Sequence, residues 1–179
     1  MKNVASNDRE KRLSDVAKGT LYWEWRKYDI ASVTYRQLVT EYPVEKRFKE
    51  DLAAIFVEMS EFIEAKNLYA KLYQNEKEKK SVSWFVGSGY AEAAGKAVST
   101  PLELREALEA GLIAVSNKPD EPFSYYAVAL VYKKLGNDDK AIKYLRKAES
   151  LESSRDTNIY TYDKKRHIKY IKLLEQWSV

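Results

Sequence analysis

The one imidazole in this sequence, His167, is the side chain whose ordinary pKa suits proton transfer near neutrality, and it stands alone. No second histidine can join it in a two-histidine metal site. The absence of cysteine removes thiolate nucleophiles, zinc–thiolate centres, disulfides and cysteine lipidation. A serine hydrolase would need its nucleophile on a strained elbow, and no G-x-S-x-G occurs. The run GSGYAEAAG at 87–95 is glycine-rich, but it lacks both the preceding strand and the spacing of a dinucleotide-binding loop. Acid pairs at helical spacing, Glu41/Glu45 and Glu61/Glu64, fall on faces expected to be solvated, where nothing raises a carboxyl pKa toward a working value. The residues therefore predict no catalytic constellation, no metal and no cofactor.

The elements that carry these side chains are helical. With 179 residues, 45% hydrophobic and 32% charged, the chain suits one good-sized domain or a short solenoid. Apolar runs such as Leu52–Val57 are broken by charge long before a membrane span of about 18 residues, and Met1–Asp8 is polar. A soluble, cytoplasmic protein is expected, with a removed signal or lipoprotein leader as the alternative that would leave no trace. Net charge is +4. From residue 155 onward six cations (Arg155, Lys164, Lys165, Arg166, Lys169, Lys172) face three acids (Asp156, Asp163, Glu175), so the tail holds three of the four excess charges. The remaining body is nearly balanced, unlike a uniformly basic nucleic-acid surface.

A repeat is visible by arithmetic. The aromatics Tyr22, Phe56, Tyr90 and Tyr132 lie 34, 34 and 42 residues apart, and the alanines Ala31, Ala65, Ala107 and Ala141 lie 34, 42 and 34 apart. The two series agree if eight extra residues fall between Tyr90 and Ala107. Small residues (Gly19, Ala53, Gly87, Ala129) stand three before each aromatic, and Pro43 and Pro119 close two units. The stretch Glu121–Ser154 is the cleanest copy: Tyr125, Val128, Ala129 and Tyr132 share one helical face, Gly136-Asn137 make a turn, and Ala141, Leu145 and Ala148 line a second helix. This pattern resembles the tetratricopeptide repeat, a 34-residue pair of antiparallel helices. The resemblance implies an all-α, right-handed superhelical solenoid of helix pairs. Its units would be 12–45, 46–79, 80–121 (with the insertion) and 122–155, after a polar segment at 1–11. Departures are Ser60 in place of the turn glycine, Ser153 in place of a terminal proline, and Gly111 in place of an aromatic. Thr100-Pro101-Leu102-Glu103 marks a helix start, so the insertion reads as a lengthened first helix plus a loop near Gly95–Ser99, or else as a binding protrusion about 91–101. Residues 156–179 are expected to form a capping helix, with Tyr160, His167, Ile168, Ile171, Leu174 and Trp177 as its apolar stripe.

The resemblance also implies a concave groove lined by first helices. Its positions fall on Val16, Thr20, Trp23 and Glu24, on Glu50, Ala54, Val57 and Glu58, on Trp84, Ser88 and Glu92, and on Phe123, Tyr126, Leu130, Lys133 and Lys134. Aromatic anchors and a change from acids to Lys133/Lys134 would orient a bound segment. The places where some family members hold Lys and Asn for a carboxylate tail carry Val16, Thr20, Asp51, Ser81 and Phe85, which disfavours a co-chaperone of that kind. The groove looks more like those of secretion chaperones and assembly factors that hold an apolar client segment. The resemblance thus implies a non-catalytic adaptor or chaperone-like scaffold whose partner is a peptide or helical segment of another protein. Two alternatives stand beside it: a nucleic-acid-associated factor using the basic face Lys164, Lys165, Arg166, Lys169 and Lys172, and a self-associating structural subunit.

Overall fold

The computed structural model describes residues 2–155 and 163–178, with side chains from residue 7 onward. Among the described residues the fold is all α, with no strand. The helices are α1 (Lys2–Glu24), α2 (Tyr28–Glu41), α3 (Lys46–Glu58), α4 (Phe62–Glu78), α5 (Trp84–Lys96), α6 (Pro101–Asn117), α7 (Pro122–Lys134), α8 (Asp138–Ser153) and α9 (Lys164–Trp177). They form two compact units, Met1–Leu68 and Tyr69–Val179, with the boundary inside α4. Helix α1 starts at Lys2, so it extends well ahead of residue 12, where the first repeat unit was expected to begin. Side-chain caps start α5 to α9, and a left-handed residue follows the ends of α1, α3, α4 and α7.

One turn recurs in both units. Lys27 N–H donates to the Tyr22 carbonyl and Arg26 N–H to that of Trp23, both at 2.9 Å. Glu61 and Ser60 repeat this toward Phe56 and Val57, at 2.8 and 3.1 Å, and Asn137 and Gly136 toward Tyr132 and Lys133, at 2.9 and 3.1 Å. This paired closure requires a left-handed residue just past the helix. Arg26, Ser60 and Gly136 occupy it with φ of 58°, 62° and 75°. The periodic aromatics Tyr22, Phe56 and Tyr132 thus mark the first of the two carbonyls that each turn satisfies. Ser60 keeps the turn of Gly136 at a conformational cost of about 1–2 kcal/mol.

The phase-setting alanines Ala31, Ala65, Ala107 and Ala141 are wholly buried. Small residues let helix axes approach, and the closest case is Gly87. A Cβ there would collide with the Ala110 carbonyl oxygen and lie 3.1 Å from the Ala114 Cβ.

The extra residues of the third pair are distributed differently from the expectation. Helix α5 has 13 residues, as α3 and α7 do, so it is displaced rather than lengthened. It runs six residues past Tyr90, whereas α7 runs two past Tyr132, and α6 starts six before Ala107, whereas α8 starts three before Ala141. With four linking residues at 97–100 against three at 135–137, the differences (4, 3 and 1) account for all eight. The late start of α5 has a cause: Ser83 Oγ accepts from Val86 N–H at 3.3 Å, and the buried Glu76 carboxylate accepts from Ser83 N–H at 2.8 Å. The start of α6 is as expected: Thr100 Oγ1 accepts from Glu103 N–H (3.3 Å) while the Glu103 carboxylate accepts from Thr100 N–H (2.7 Å).

Helix α9 packs on α7 and α8 with part of the expected stripe: Leu174 and Trp177 are packed, whereas Tyr170 takes the central place expected of Ile168 and Ile171. Tyr170 is fully buried, and Leu173, Leu174 and Trp177 pack beside it against Tyr126, Leu145 and Ala148. Ile168 and Ile171, expected inside, are 44% and 40% exposed. Both stripes have helical spacing, and the aromatic one wins because Tyr170 can stack with Tyr126. Tyr160 and the expected helical turn at 158–162 lie outside the described residues.

Two substitutions test this packing by urea denaturation. Ser60→Gly is expected to stabilise by about 0.5–1 kcal/mol, because it relieves the left-handed strain. Gly87→Ala, which forces a side chain onto the Ala110 backbone, is expected to destabilise by about 1–3 kcal/mol.

Candidate functional site

In the first unit, α1, α2 and α3 converge on the Tyr35 hydroxyl. Thr20 Oγ1 lies 3.3 Å from it, and Trp23, half-buried, meets the Tyr35 ring edge-on at 6.4 Å. Burial raises the Tyr35 phenol above its usual range, Thr20 opposing, and Asp51 adds to the rise. Asp51 is itself pushed above the ordinary carboxylate range by burial, with Arg47 at 3.7 Å pulling the other way. Around this cluster Val16, Ala54 and Val57 are half-buried, while Glu24 and Glu58 are exposed. Glu50 is paired with Lys46 at 2.9 Å.

In the second unit the expected positions divide. Ser88 is fully buried and joins α5 to α7 through a 2.8 Å contact with the Ser124 hydroxyl. Glu92 is buried and held by Lys96 at 2.6 Å. Tyr126, expected as an anchor, is buried beneath α9: its ring lies 5.2 Å from that of Tyr170, with the Lys169 ammonium 4.1 Å from its centroid. Ser88 and Tyr126 hold helices together, Glu92 is paired within α5, and none of the three leaves a surface for a ligand. Trp84, Phe123 and Leu130 remain half-buried, with the Lys118 ammonium 4.1 Å over the Trp84 ring. Lys133 is tied to Asp138 at 3.0 Å and lies 5.6 Å over the Trp177 ring, while Lys134 is exposed. Of the charged positions, Glu50, Glu92 and Lys133 are thus paired within the chain, while Glu24, Glu58 and Lys134 are exposed.

The C-terminal basic face is similarly reduced. Arg166 pairs with the wholly buried Glu152 at 3.3 Å, and Glu152 also caps α9 by accepting from Asp163 N–H at 2.8 Å. Lys169 lies over the Tyr126 ring while remaining exposed, as are Lys164, Lys165 and Lys172, and Arg166 is half-buried. His167 is part-buried, its Nε2 2.9 Å from a Glu149 carboxylate oxygen, so it serves the packing of α9 on α8. Among the described residues no cluster of acids, histidines or cysteines could hold a metal, and no helix is long and apolar enough to cross a membrane.

Sequence reasoning missed Tyr170 as the closing side chain and Tyr35 as the hub of the first unit. Tyr170 had a signal: Arg166, Tyr170, Leu173 and Trp177 form a helical stripe as regular as the one through Ile168.

A tetratricopeptide-repeat family model matches residues 124–155. No curated protein matches the chain in sequence. Among solved structures, a MamA protein is 18% identical over 94% of this chain and 92% of its own, with a TM-score of 0.64. TTC0263, a thermophilic TPR protein of Thermus thermophilus, is 20% identical over 79% and 75%, with a TM-score of 0.63. MamA of MSR-1 is 19% identical over 75% and 73%, with a TM-score of 0.58. At such identities the likeness is one of fold.

The buried phenols have a pH signature. Burial raises Tyr90, Tyr126 and Tyr170 well above the usual phenol range; Glu106 adds to it for Tyr90 and Glu92 for Tyr126, while Arg166 opposes it for Tyr170. The folded state therefore holds protons that the unfolded chain releases near pH 10. Their stabilisation is whole below that pH and is lost above it, by about 1.4 kcal/mol per pH unit for each tyrosine. Among the described residues the Tyr170 hydroxyl has no hydrogen-bond partner. Tyr170→Phe is thus expected to be neutral or slightly stabilising at pH 7 and to flatten the alkaline denaturation curve by about 1.4 kcal/mol per pH unit.

Proposed function

We propose that the chain, whose residues 124–155 match a tetratricopeptide-repeat model and whose fold resembles such proteins, is a non-catalytic interaction module that holds a peptide or helical segment of another protein. The segment lies against the partly open faces of the first helices. In the first unit these faces are Val16, Thr20, Trp23, Ala54 and Val57, and in the second they are Trp84, Phe123, Leu130 and Lys134. The observation that carries the reading is the half-buried state of Trp84, Phe123 and Leu130 on α5 and α7. Neighbouring apolar side chains anchor these residues while one edge of each stays open to a partner, the arrangement in which aromatic side chains dominate binding.

The role fits an adaptor or assembly factor, since stacked helix pairs present a preformed surface that needs little ordering on binding. An apolar segment with an acidic end suits Leu130 and Phe123 beside Lys134. The basic face of α9 supports a nucleic-acid role less well, because Arg166 and Lys169 are engaged within the chain.

The test is retrieval of a partner on the immobilised full chain, followed by titration with Phe123→Ala and Leu130→Ala. Each variant is expected to weaken binding by about 1–3 kcal/mol while far-UV circular dichroism stays helical. Unchanged affinity in both would remove the proposed face.

A further inference from the structure

On the other side of α7 from Phe123 and Leu130 lies a feature that the proposed binding face does not use. Tyr125 of α7 and Tyr144 of α8, both half-buried, stack at 6.1 Å with ring planes tilted by 35°. With Lys143, Arg146 and Lys147 they line an open pocket of about 460 Å³. That volume lies within the range of pockets that take a small ligand or a single large side chain. Tyr125 is held in place through its hydroxyl, which donates to the Pro119 carbonyl oxygen at 3.1 Å. Burial raises both phenols, and each is raised further by a neighbouring tyrosine, Tyr125 by Tyr144 and Tyr144 by Tyr132.

The rim is charged in one sense. Lys143, Arg146 and Lys147 are exposed, at i, i+3 and i+4 on one helix, and among the described residues no carboxylate pairs with any of them. Elsewhere the cations of this chain are commonly matched: Lys11 to Glu41, Arg12 to Glu45, Lys77 to Glu109, Lys133 to Asp138. Like charges at this spacing repel one another in the free protein, and a bound anionic group relieves that repulsion. The chain as a whole carries only +4, so the cluster is local rather than part of a basic surface suited to nucleic acid.

We propose that this pocket is a second docking site, separate from the first-helix faces, for an acidic peptide segment that seats one apolar side chain against Tyr125 and Tyr144. The aromatic floor takes the apolar anchor. The three cations take carboxylates on either side of it, giving orientation and a fast, salt-sensitive encounter.

The probe is an acetylated glutamate decapeptide with one central phenylalanine, titrated into the ¹⁵N-labelled full chain. Amide shifts are expected at Tyr125 and across 143–147, with binding weakened about tenfold or more in Lys143→Glu/Arg146→Glu/Lys147→Glu. Replacing the phenylalanine of the probe by glycine should also weaken binding, whereas Phe123→Ala in the protein should not. Because glutamate is a good helix former, the triple variant should stay folded. The milder Lys143→Gln/Lys147→Gln pair and the shift map of the unaltered chain give the answer if it does not. Absence of shifts at these residues, or shifts confined to α5 and the Phe123 face of α7, would overturn the proposal. So would tighter binding of a thymidine dodecanucleotide at the same residues, or a self-association of the chain that the triple variant abolishes.

Discussion

Close approach of helix to helix at small side chains is the constraint on which the structure rests. Gly87 against Ala110 and Ala114 leaves no room for a methyl group, and Ala31, Ala65, Ala107 and Ala141 are closed to solvent. A helix held this near its neighbour can neither rotate nor slide without collision, so one turn of misregister is excluded by sterics rather than by many weak preferences. The left-handed turns at Arg26, Ser60 and Gly136 then fix where three of the pairs, α1/α2, α3/α4 and α7/α8, reverse. Side chains placed on these helices inherit a defined direction, which allows open positions to act as a preformed surface.

The second constraint acts at the end of the array. Helix α7 would otherwise expose Tyr126 and Ala129 to water, and α9 covers them with Tyr170 while Leu173, Leu174 and Trp177 fill in around it. The ion pair of Arg166 with buried Glu152 and the cap given by Glu152 to Asp163 N–H anchor the start of α9. Closure consumes side chains that resemble binding residues: Tyr126, Arg166 and Lys169 all serve it. What stays partly open among the expected positions of the second unit is the remainder, Trp84, Phe123, Leu130 and Lys134.

The fold was legible because its signals are local or periodic. The aromatics Tyr22, Phe56 and Tyr132 recur because each sits at the carbonyl that its turn must satisfy, and Thr100–Glu103 announces a helix by its own hydrogen bonds. The site was less legible because exposure depends on what arrives from elsewhere. Ser88 and Tyr126 occupy repeat positions that other units leave open, and only the presence of Ser124 and Tyr170 closes them. The face of α9 was ambiguous for a similar reason: Trp177 is common to the stripe through Ile168 and Ile171 and to the one through Tyr170, and hydrophobicity alone ranks the isoleucines first. The displaced α5 was hidden because its start is set by Glu76, seven residues before the Ser83 it caps.

Closure of the helix-pair array by α9 through Tyr170 is the central claim, and amide hydrogen exchange of the full chain with Tyr170→Ala tests it most directly. Protection is predicted to fall in α7 and α8, and less in α5 and α6, as nearest-neighbour coupling requires. Protection in α7 equal to that of the unaltered chain would contradict it.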